Sequence, residues 1–303
     1  SRPSRPLNNP SDMSIIDFLV PPSEACLRSG PHDKIVLSSR VRLARNLRTV
    51  PFPSHSKTAE RIKAFETLMP AVKSLTLLGE EIFAESMDKL PALDKQVLVE
   101  RHLISREHAA KNAGSGIVLN REENVCVMVN EEDHLRVQVL RPGWHLRGTW
   151  NLAEQLDDAL AAALPLAFSE RLGYLTACPT NVGTGLRASA MVHLPGLCLS
   201  GQMDKVTRAL NQDGLAVRGW LGEGTEAAGN IYQVSNQQTL GLAEDDILKH
   251  LGFWIKHLVE QEWNARRKLA LDEGEKFVDR LARSFGVLRH ARLLSSSEAM
   301  NML

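Results

Sequence analysis

The sequence has few of the features that mark secreted, membrane or nucleic-acid-binding proteins. Its 303 residues include four cysteines, which lie far apart and form no CxxC pair, so we expect neither a disulfide framework nor a zinc knuckle. Aromatic residues make up 5%, and no apolar run approaches the roughly 18–20 residues that span a bilayer. Thirty-six basic residues balance 36 acidic residues, which argues against binding nucleic acid or membrane through overall charge. We therefore expect a cytoplasmic protein, with no direct nucleic-acid or membrane partner.

The order of the predicted elements indicates an α+β fold. Strands are predicted at 117–119, 125–129, 135–139, 174–177, 186–194, 215–217 and 231–234. Helices are predicted at 57–75 with a break or kink at Pro70, and at 94–102, 146–164, 202–211 and from 245 onward. Several strands joined by short turns and followed by helices favour an antiparallel β-sheet flanked by helices.

The sequence also predicts three segments. Residues 1–34 begin with a stretch rich in Pro, Ser, Arg and Asn, and we interpret them as an N-terminal leader and short segment. Residues 35–265 are expected to form the main domain. Residues 266–303 are expected to begin a helical C-terminal region.

Two arginines in the segment 38–45 are the first candidates for binding phosphate. If the segment is extended, Arg40 and Arg42 project to the same face, about 7 Å apart. Guanidinium groups at that spacing suit the adjacent phosphates of a nucleotide. A solvated basic strand is the alternative.

Three consecutive acids occupy the predicted hairpin connection 130–134. Glu131, Glu132 and Asp133 lie beside His134 and close to Arg136, where they could hold a cation or a guanidinium group. The spacing is not that of an EF-hand. A polar turn without a ligand is the alternative.

Two glycine-containing loops complete the candidate site. The loop from Cys178 to Arg187 lacks the Lys and the following helix of a Walker A motif, so phosphate contacts would come from backbone N–H groups and Arg187. The loop 218–226 joins Arg218 to Glu223 through glycines. A structural cysteine and an ordinary surface loop are the alternatives. Clustered arginines that neutralise a transferring phosphoryl group are a main device of phosphoryl-transfer catalysis.

Together these segments resemble the phosphagen (guanidino) kinases, which include creatine and arginine kinases. The motifs are Ser-Ser-Arg-Val-Arg at 38–42, Asn-Glu-Glu-Asp-His-Leu-Arg at 130–136, Cys-Pro-Thr-Asn-Val-Gly-Thr-Gly-Leu-Arg at 178–187 and Arg-Gly-x-x-Gly-Glu at 218–223. Segments 97–105, 222–230 and 234–241 resemble the bacterial protein-arginine kinase branch. The resemblance implies a catalytic domain within 35–265, ATP and Mg²⁺ as cofactors, and γ-phosphoryl transfer to arginine side chains of client proteins.

The resemblance also implies which residues act. Catalytic roles fall on Glu132, Glu223, Cys178, Arg187 and Arg218. Glu132 is expected to be the general base and Glu223 the orienting partner, an order that the sequence does not fix. The implied nucleotide-binding positions are Ser38, Ser39, Arg40, Val41, Arg42, His102, Arg136, Arg187, Ala188, Ser189, Ala190, Met191, Arg218, Gly219, Gly222 and Glu223. No metal-ligating protein residue is implied.

The implied setting is stress response and protein quality control. Expected partners are arginine-containing protein substrates, a transcriptional repressor and a Clp-type protease system, and the expected assembly is a homodimer. Only a short segment precedes Ile35, where small-molecule guanidino kinases carry a helical domain, so we expect a pocket open enough for a protein side chain. From the resemblance we also expect the C-terminal region to be truncated, with the phosphoarginine-binding part of the protein-arginine kinases absent from these residues. The alternatives are a kinase for free arginine or another small guanidine, and a weakly active adaptor for a chaperone or protease.

Overall fold

A computed structural model describes Ile15, residues 29–219 and residues 227–302. Within these residues an eight-stranded sheet forms the centre, and each pair of neighbouring strands is antiparallel. In chain order the strands are β1 (Val36–Arg45), β2 (Ile82–Ser86), β3 (Gly116–Asn120), β4 (Val125–Val129), β5 (Leu135–Pro142), β6 (Phe168–Ser169), β7 (Gly173–Tyr174), β8 (Leu186–His193), β9 (Leu215–Gly219) and β10 (Ile231–Asn236). The spatial order of the large sheet is β2-β3-β4-β5-β1-β8-β10-β9, and β6 pairs with β7 separately.

Helices flank this sheet and continue beyond it towards the C-terminus. They are α1 (Thr58–Lys73), α2 (Ala92–Glu100), α3 (Arg106–Ala109), α4 (Leu146–Ala163), α5 (Pro195–Leu199), α6 (Met203–Gln212), α7 (Glu244–Asp272), α8 (Glu275–His290) and α9 (Ser296–Asn301). No helix among the described residues is long and apolar enough to cross a membrane. The predicted α+β class is confirmed.

The two faces of the sheet carry different chemistry because side chains alternate along each strand. On one face, residues such as Val41, Val127 and Val137 pack with α1, α4 and α7 in the main hydrophobic core. On the other face a smaller core covers the β2–β4 end, where Leu98 of α2 packs with Leu119 of β3 and its neighbours. The central strands of this second face lie beyond the smaller core and carry the arginines.

Two details of the predicted elements are corrected. Pro70 does not break α1, which continues to Lys73. Pro70 lies in the last turn, where its missing N–H costs the helix a single hydrogen bond. The strand predicted at 174–177 is limited to Gly173–Tyr174, because the next segment bonds to other parts of the chain: Ala177 N donates to a carboxylate oxygen of Asp133.

The predicted three-segment division stays a prediction. Most of the leader, residues 1–14 and 16–28, lies outside the described residues. The boundary proposed at 265 falls inside the continuous helix α7.

Candidate active site

Three adjacent central strands bring four of the candidate arginines to one face of the sheet. Arg40 and Arg42 are two residues apart on β1, so they share a face. In the strand register Arg42 lies opposite Arg187 of β8, and Ala44 lies opposite Arg136 of β5. Residues directly opposite each other on antiparallel strands project to the same side. All four guanidinium groups therefore face the same region.

The fifth arginine joins them from the edge of the sheet. Arg218 lies on β9 opposite Gln233 of β10, and Gln233 Oε1 accepts a hydrogen bond of 2.5 Å from Arg40 Nη2. Burial lowers the pKa of Arg187, and the charges of Arg218 and Arg136 lower it further. Arg218 is thus close enough to act electrostatically on the buried members of the cluster.

Burial and mutual repulsion make the charged state of these clustered arginines unfavourable. Burial, with the charges of Arg136 and Arg187, lowers the pKa of Arg40 to about 10. Burial, followed by the charge of Arg40 and the same two neighbours, lowers the pKa of Arg42 well below its ordinary value. Arg42 Nε is buried and has no hydrogen-bond partner. Like charges and an unsatisfied donor in one place favour binding of a polyanion, which would supply both countercharge and acceptors.

The acidic loop between β4 and β5 reaches the same cleft, and its acids have different surroundings. Glu131 is buried, accepts a hydrogen bond of 2.5 Å from Ser105 Oγ and pairs with Arg136 at 2.7 Å. Burial alone would raise the pKa of Glu131, but Arg136 and Ser105 outweigh it and hold the pKa at about 2. Glu132 is exposed, and partial burial together with the charges of Asp133 and Glu131 raises its pKa. Glu132 is the loop carboxylate that combines exposure with a raised pKa, as a group that exchanges protons with a ligand requires.

Cys178 borders the cleft from the opposite side. Its thiol is half-buried and lies 3.0 Å from Thr180 Oγ1, while its carbonyl accepts a hydrogen bond of 2.7 Å from Thr176 Oγ1. The cleft between these segments has a volume of about 280 Å³. Its lining includes Arg42, Arg136, Arg187, Arg218, Glu132 and Cys178. Four arginines, Arg42, Arg136, Arg187 and Arg218, which we call the arginine wall, therefore line the same cleft as the acidic loop and a thiol.

Most of the sequence that forms this cleft matches a known protein family. Residues 64–265, about two-thirds of the chain, match the family described as ATP:guanido phosphotransferase, C-terminal catalytic domain. The chain belongs to this guanidino kinase family. The cleft is accordingly the candidate site of a phosphotransferase.

Relatives of this guanidino kinase include bacterial proteins named protein-arginine kinase. A protein-arginine kinase of Halothermothrix orenii is 47% identical over 274 residues, which is 90% of this chain and 78% of that protein. A protein-arginine kinase of Symbiobacterium thermophilum is 46% identical over 277 residues, which is 91% of this chain and 78% of that protein.

Solved guanidino kinase structures share the fold. The duplicated taurocyamine kinase of Schistosoma mansoni, solved with bound transition-state-analogue components, has a TM-score of 0.68 and 29% identity, covering 82% of this chain and 38% of that one. A lombricine kinase has a TM-score of 0.66 and 27% identity, covering 84% of this chain and 73% of that one.

Several predicted nucleotide-binding positions of this guanidino kinase lie away from the cleft surface. The side chains of Val41, Ala188 and Ala190 are buried in the main core, on the opposite face of the sheet. Ser39 is also buried, where its hydroxyl donates to Gly143 O at 2.9 Å and accepts from His145 N at 2.9 Å. A nucleotide contact from these four positions would have to use backbone atoms, and their assignment stays a prediction.

Other predicted positions share the arginine face. Ser189 lies opposite Arg40, and Met191 lies opposite both Ser38 and Gln233 in the strand register. Burial lowers the pKa of His102, and the charge of Arg40 lowers it further, which places this ring near the cluster. Their roles stay predictions.

The described residues stop at the end of β9 and resume at residue 227. Gly219 is the last residue of this strand, opposite Tyr232. Gly222 and Glu223, predicted in the loop that follows, lie outside the described residues.

The family resemblance singles out Glu132 among the three consecutive acids. Sequence reasoning assigns no roles of their own to Glu131, Asp133, Asn46 and Gln233. Asp133 faces inward and accepts hydrogen bonds from Asn46 Nδ2 and Ala177 N, both at 2.6 Å. Gln233 bridges to Arg40. The alternation along β10 could have placed Gln233 on the polar face, but nothing local to Asn46 indicates its distant partners.

Proposed function

We propose that this chain is a protein-arginine kinase, which transfers the γ-phosphoryl group of ATP to arginine side chains of other proteins. The observation that carries the proposal is that Arg42, Arg136, Arg187, Arg218 and Glu132 line one cleft. The names of the bacterial relatives support a protein as the acceptor.

The arginine wall has the charge and the hydrogen-bond donors that the phosphates of a nucleoside triphosphate require. Arg42 brings an unpaired buried Nε, and Arg40 and Arg187 have pKa values lowered by burial and by their cationic neighbours. Phosphate oxygens would satisfy these donors and reverse the mutual repulsion. Mg²⁺ usually binds with few protein ligands and several substrate oxygens, and when bound it neutralises charge that develops on the transferring group.

The acceptor guanidinium group must lose a proton in order to attack the γ-phosphorus. A guanidinium group has a pKa of about 12.5–13.8, so its neutral, nucleophilic form lies about 8 kcal/mol uphill at pH 7. In the proposed reaction Glu132 orients the planar group through charge-assisted hydrogen bonds and accepts its proton as the N–P bond forms, while the bond from the γ-phosphorus to the bridging oxygen breaks and ADP leaves. We propose Glu223 as its partner on the other edge of the acceptor and Cys178 as a polarising neighbour.

The decisive experiment incubates the protein with Mg-ATP and an unfolded protein substrate and maps acid-labile phosphoarginine by mass spectrometry. Glu132→Gln and Arg218→Ala should abolish the modification while circular dichroism shows an intact fold. Glu122→Gln and Arg283→Ala are matched controls, because both side chains are exposed and lie outside the cleft. Wild-type turnover by either cleft variant would contradict the proposed roles.

A second arm distinguishes the acceptor. Free arginine replaces the unfolded protein at the same guanidinium concentration, with radiolabelled ATP as the phosphoryl donor. Phosphorylation of the protein but not of the free amino acid supports the proposal. The reverse result indicates a small-guanidine kinase, and turnover with neither acceptor favours an adaptor.

The wider setting follows from the same proposal. A transcriptional repressor and a Clp-type protease system as partners, a homodimeric assembly, a role in stress response and a cytoplasmic location stay predictions.

A further inference from the structure

Asn46, which donates a hydrogen bond to the cleft-lining Asp133, lies immediately after β1. It is 1% exposed and is not among the cleft-lining residues. Its Nδ2 donates to Asp133 Oδ1 at 2.6 Å and to Leu175 O at 3.1 Å, and its Oδ1 accepts from His134 N at 2.9 Å. One amide thus joins the acidic loop to the segment that precedes Cys178.

Asp133 extends this connection. The same Oδ1 atom that accepts from Asn46 also accepts from Ala177 N at 2.6 Å. Ala177 is the neighbour of Cys178, and Asp133 is the neighbour of Glu132. Asp133 is 3% exposed, so these hydrogen bonds have little competition from water.

We propose that Asn46 is a positioning residue for phosphoryl transfer: together with Asp133, it fixes the backbone beside Glu132 relative to the backbone beside Cys178. This inference rests on the proposed function, because it assigns Asn46 no contact with the acceptor and lets it act through Glu132 and Cys178. A displacement of about 1 Å between groups that align a nucleophile reduces rates roughly 100-fold.

The chemistry of the pair gives a sharp test. Asn46→Asp conserves shape and the acceptor for His134 N, but it removes the donor to Asp133 and Leu175 O and places two carboxylates face to face. Adding Asp133→Asn in the same chain removes one of the two facing charges, and its oxygen can still accept from Ala177 N. The double variant should therefore recover the part of the loss that charge repulsion causes.

Asn120, the last residue of β3, offers a matched control at the turn that leads into β4. It is 4% exposed, and its Nδ2 donates to Glu122 Oε2 at 2.9 Å and to Asn124 Oδ1 at 2.6 Å. Its Oδ1 accepts from Val125 N at 2.9 Å. Asn120→Asp therefore makes the same kind of change, with a carboxylate nearby and three hydrogen bonds involved, but far from the cleft.

Steady-state kinetics with Mg-ATP and the unfolded protein substrate measure the effect. We expect Asn46→Asp to lower kcat roughly 10- to 100-fold and to leave the KM for ATP within about twofold, because the arginine wall is unchanged. The double variant should regain at least about fivefold in kcat, and Asn120→Asp should remain within about twofold of the wild type.

Three results would overturn the inference: a kcat for Asn46→Asp within about twofold of the wild type, an equal loss in Asn120→Asp, or no recovery in the double variant. If Asn46→Asp does not fold, Asn46→Ala gives the same comparison without an added charge. Glu132→Gln is measured in parallel. Full activity in that variant would reject the proposed catalytic role itself, whereas an inactive Glu132→Gln beside a fully active Asn46→Asp would reject only the positioning role.

Discussion

Glu131→Gln removes the negative charge that pairs with Arg136 at the edge of the cleft. The Glu131 side chain is 4% exposed, and its Oε1 accepts from both Arg136 Nη1 and Ser105 Oγ. Glutamine has nearly the same shape, so the substitution changes the charge and leaves the packing almost intact. The result is a guanidinium group whose side chain is 23% exposed and which has lost its ion-pair partner.

The pKa of Glu131 sets the size of the effect. Its value of about 2 in the folded protein, against an ordinary value of 4.5, means that folding favours the ionised carboxylate. At about 1.36 kcal/mol for each pH unit, that difference corresponds to about 3 kcal/mol of stability at neutral pH. Because the folded pKa is the lower one, the contribution is fully present above about pH 5 and is lost as the pH falls from about 4.5 towards about 2.

Urea unfolding at several pH values measures this contribution. We expect Glu131→Gln to lower the free energy of unfolding by about 3 kcal/mol at pH 7, and the gap to the wild type to close as the pH approaches 2. Asp279→Asn is the control, because its ion pair with Arg283 is exposed and such pairs contribute less than about 1 kcal/mol. A loss of stability that stays constant between pH 7 and pH 3 would refute the electrostatic reasoning.

Three further substitutions test other parts of the structure. Asp157→Asn should lower the free energy of unfolding by about 3 kcal/mol in urea, because it leaves the guanidinium of Arg45, which is 1% exposed, without its bidentate partner; a change below about 1 kcal/mol would contradict this. Arg42→Gln should raise the KM for ATP about 10- to 100-fold by removing a charged donor, and an unchanged KM would exclude Arg42 from the nucleotide site. Cys178→Ala should lower kcat without abolishing phosphoarginine formation, and a complete loss would show that the thiol has more than a polarising role.

Much of the fold could be predicted from the chain alone, because periodicity is a local property. Alternation within β1 and β8 places Arg42 and Arg187 on the faces opposite Val41 and Ala188. The apolar runs on either side of the acidic loop predict the β4–β5 hairpin, which the structure confirms. Element ends were less predictable, because they depend on distant partners such as the carboxylate that binds Ala177 N.

The candidate site was predictable in its residue types but not in their arrangement. Composition and spacing leave Glu131, Glu132 and Asp133 equivalent, and only the resemblance to the guanidino kinases singles out Glu132. In the folded chain one pairs with Arg136, one is exposed to the cleft, and one accepts hydrogen bonds from Asn46 and a neighbouring backbone N–H. These differences arise from groups that are between 5 and 87 residues away in the chain.

The strand alternation, the numbers of arginines and acids, and the family motifs can all be read from the order of residues along the chain. Side-chain direction along a strand and the chemistry of each side chain are both fixed locally. Folding sets the partners of Glu131 and Asp133, brings arginines of three strands to one face, and lets Asn46 connect two loops. Burial and long-range hydrogen bonds set those properties, and both exist only after segments far apart in the chain have packed together.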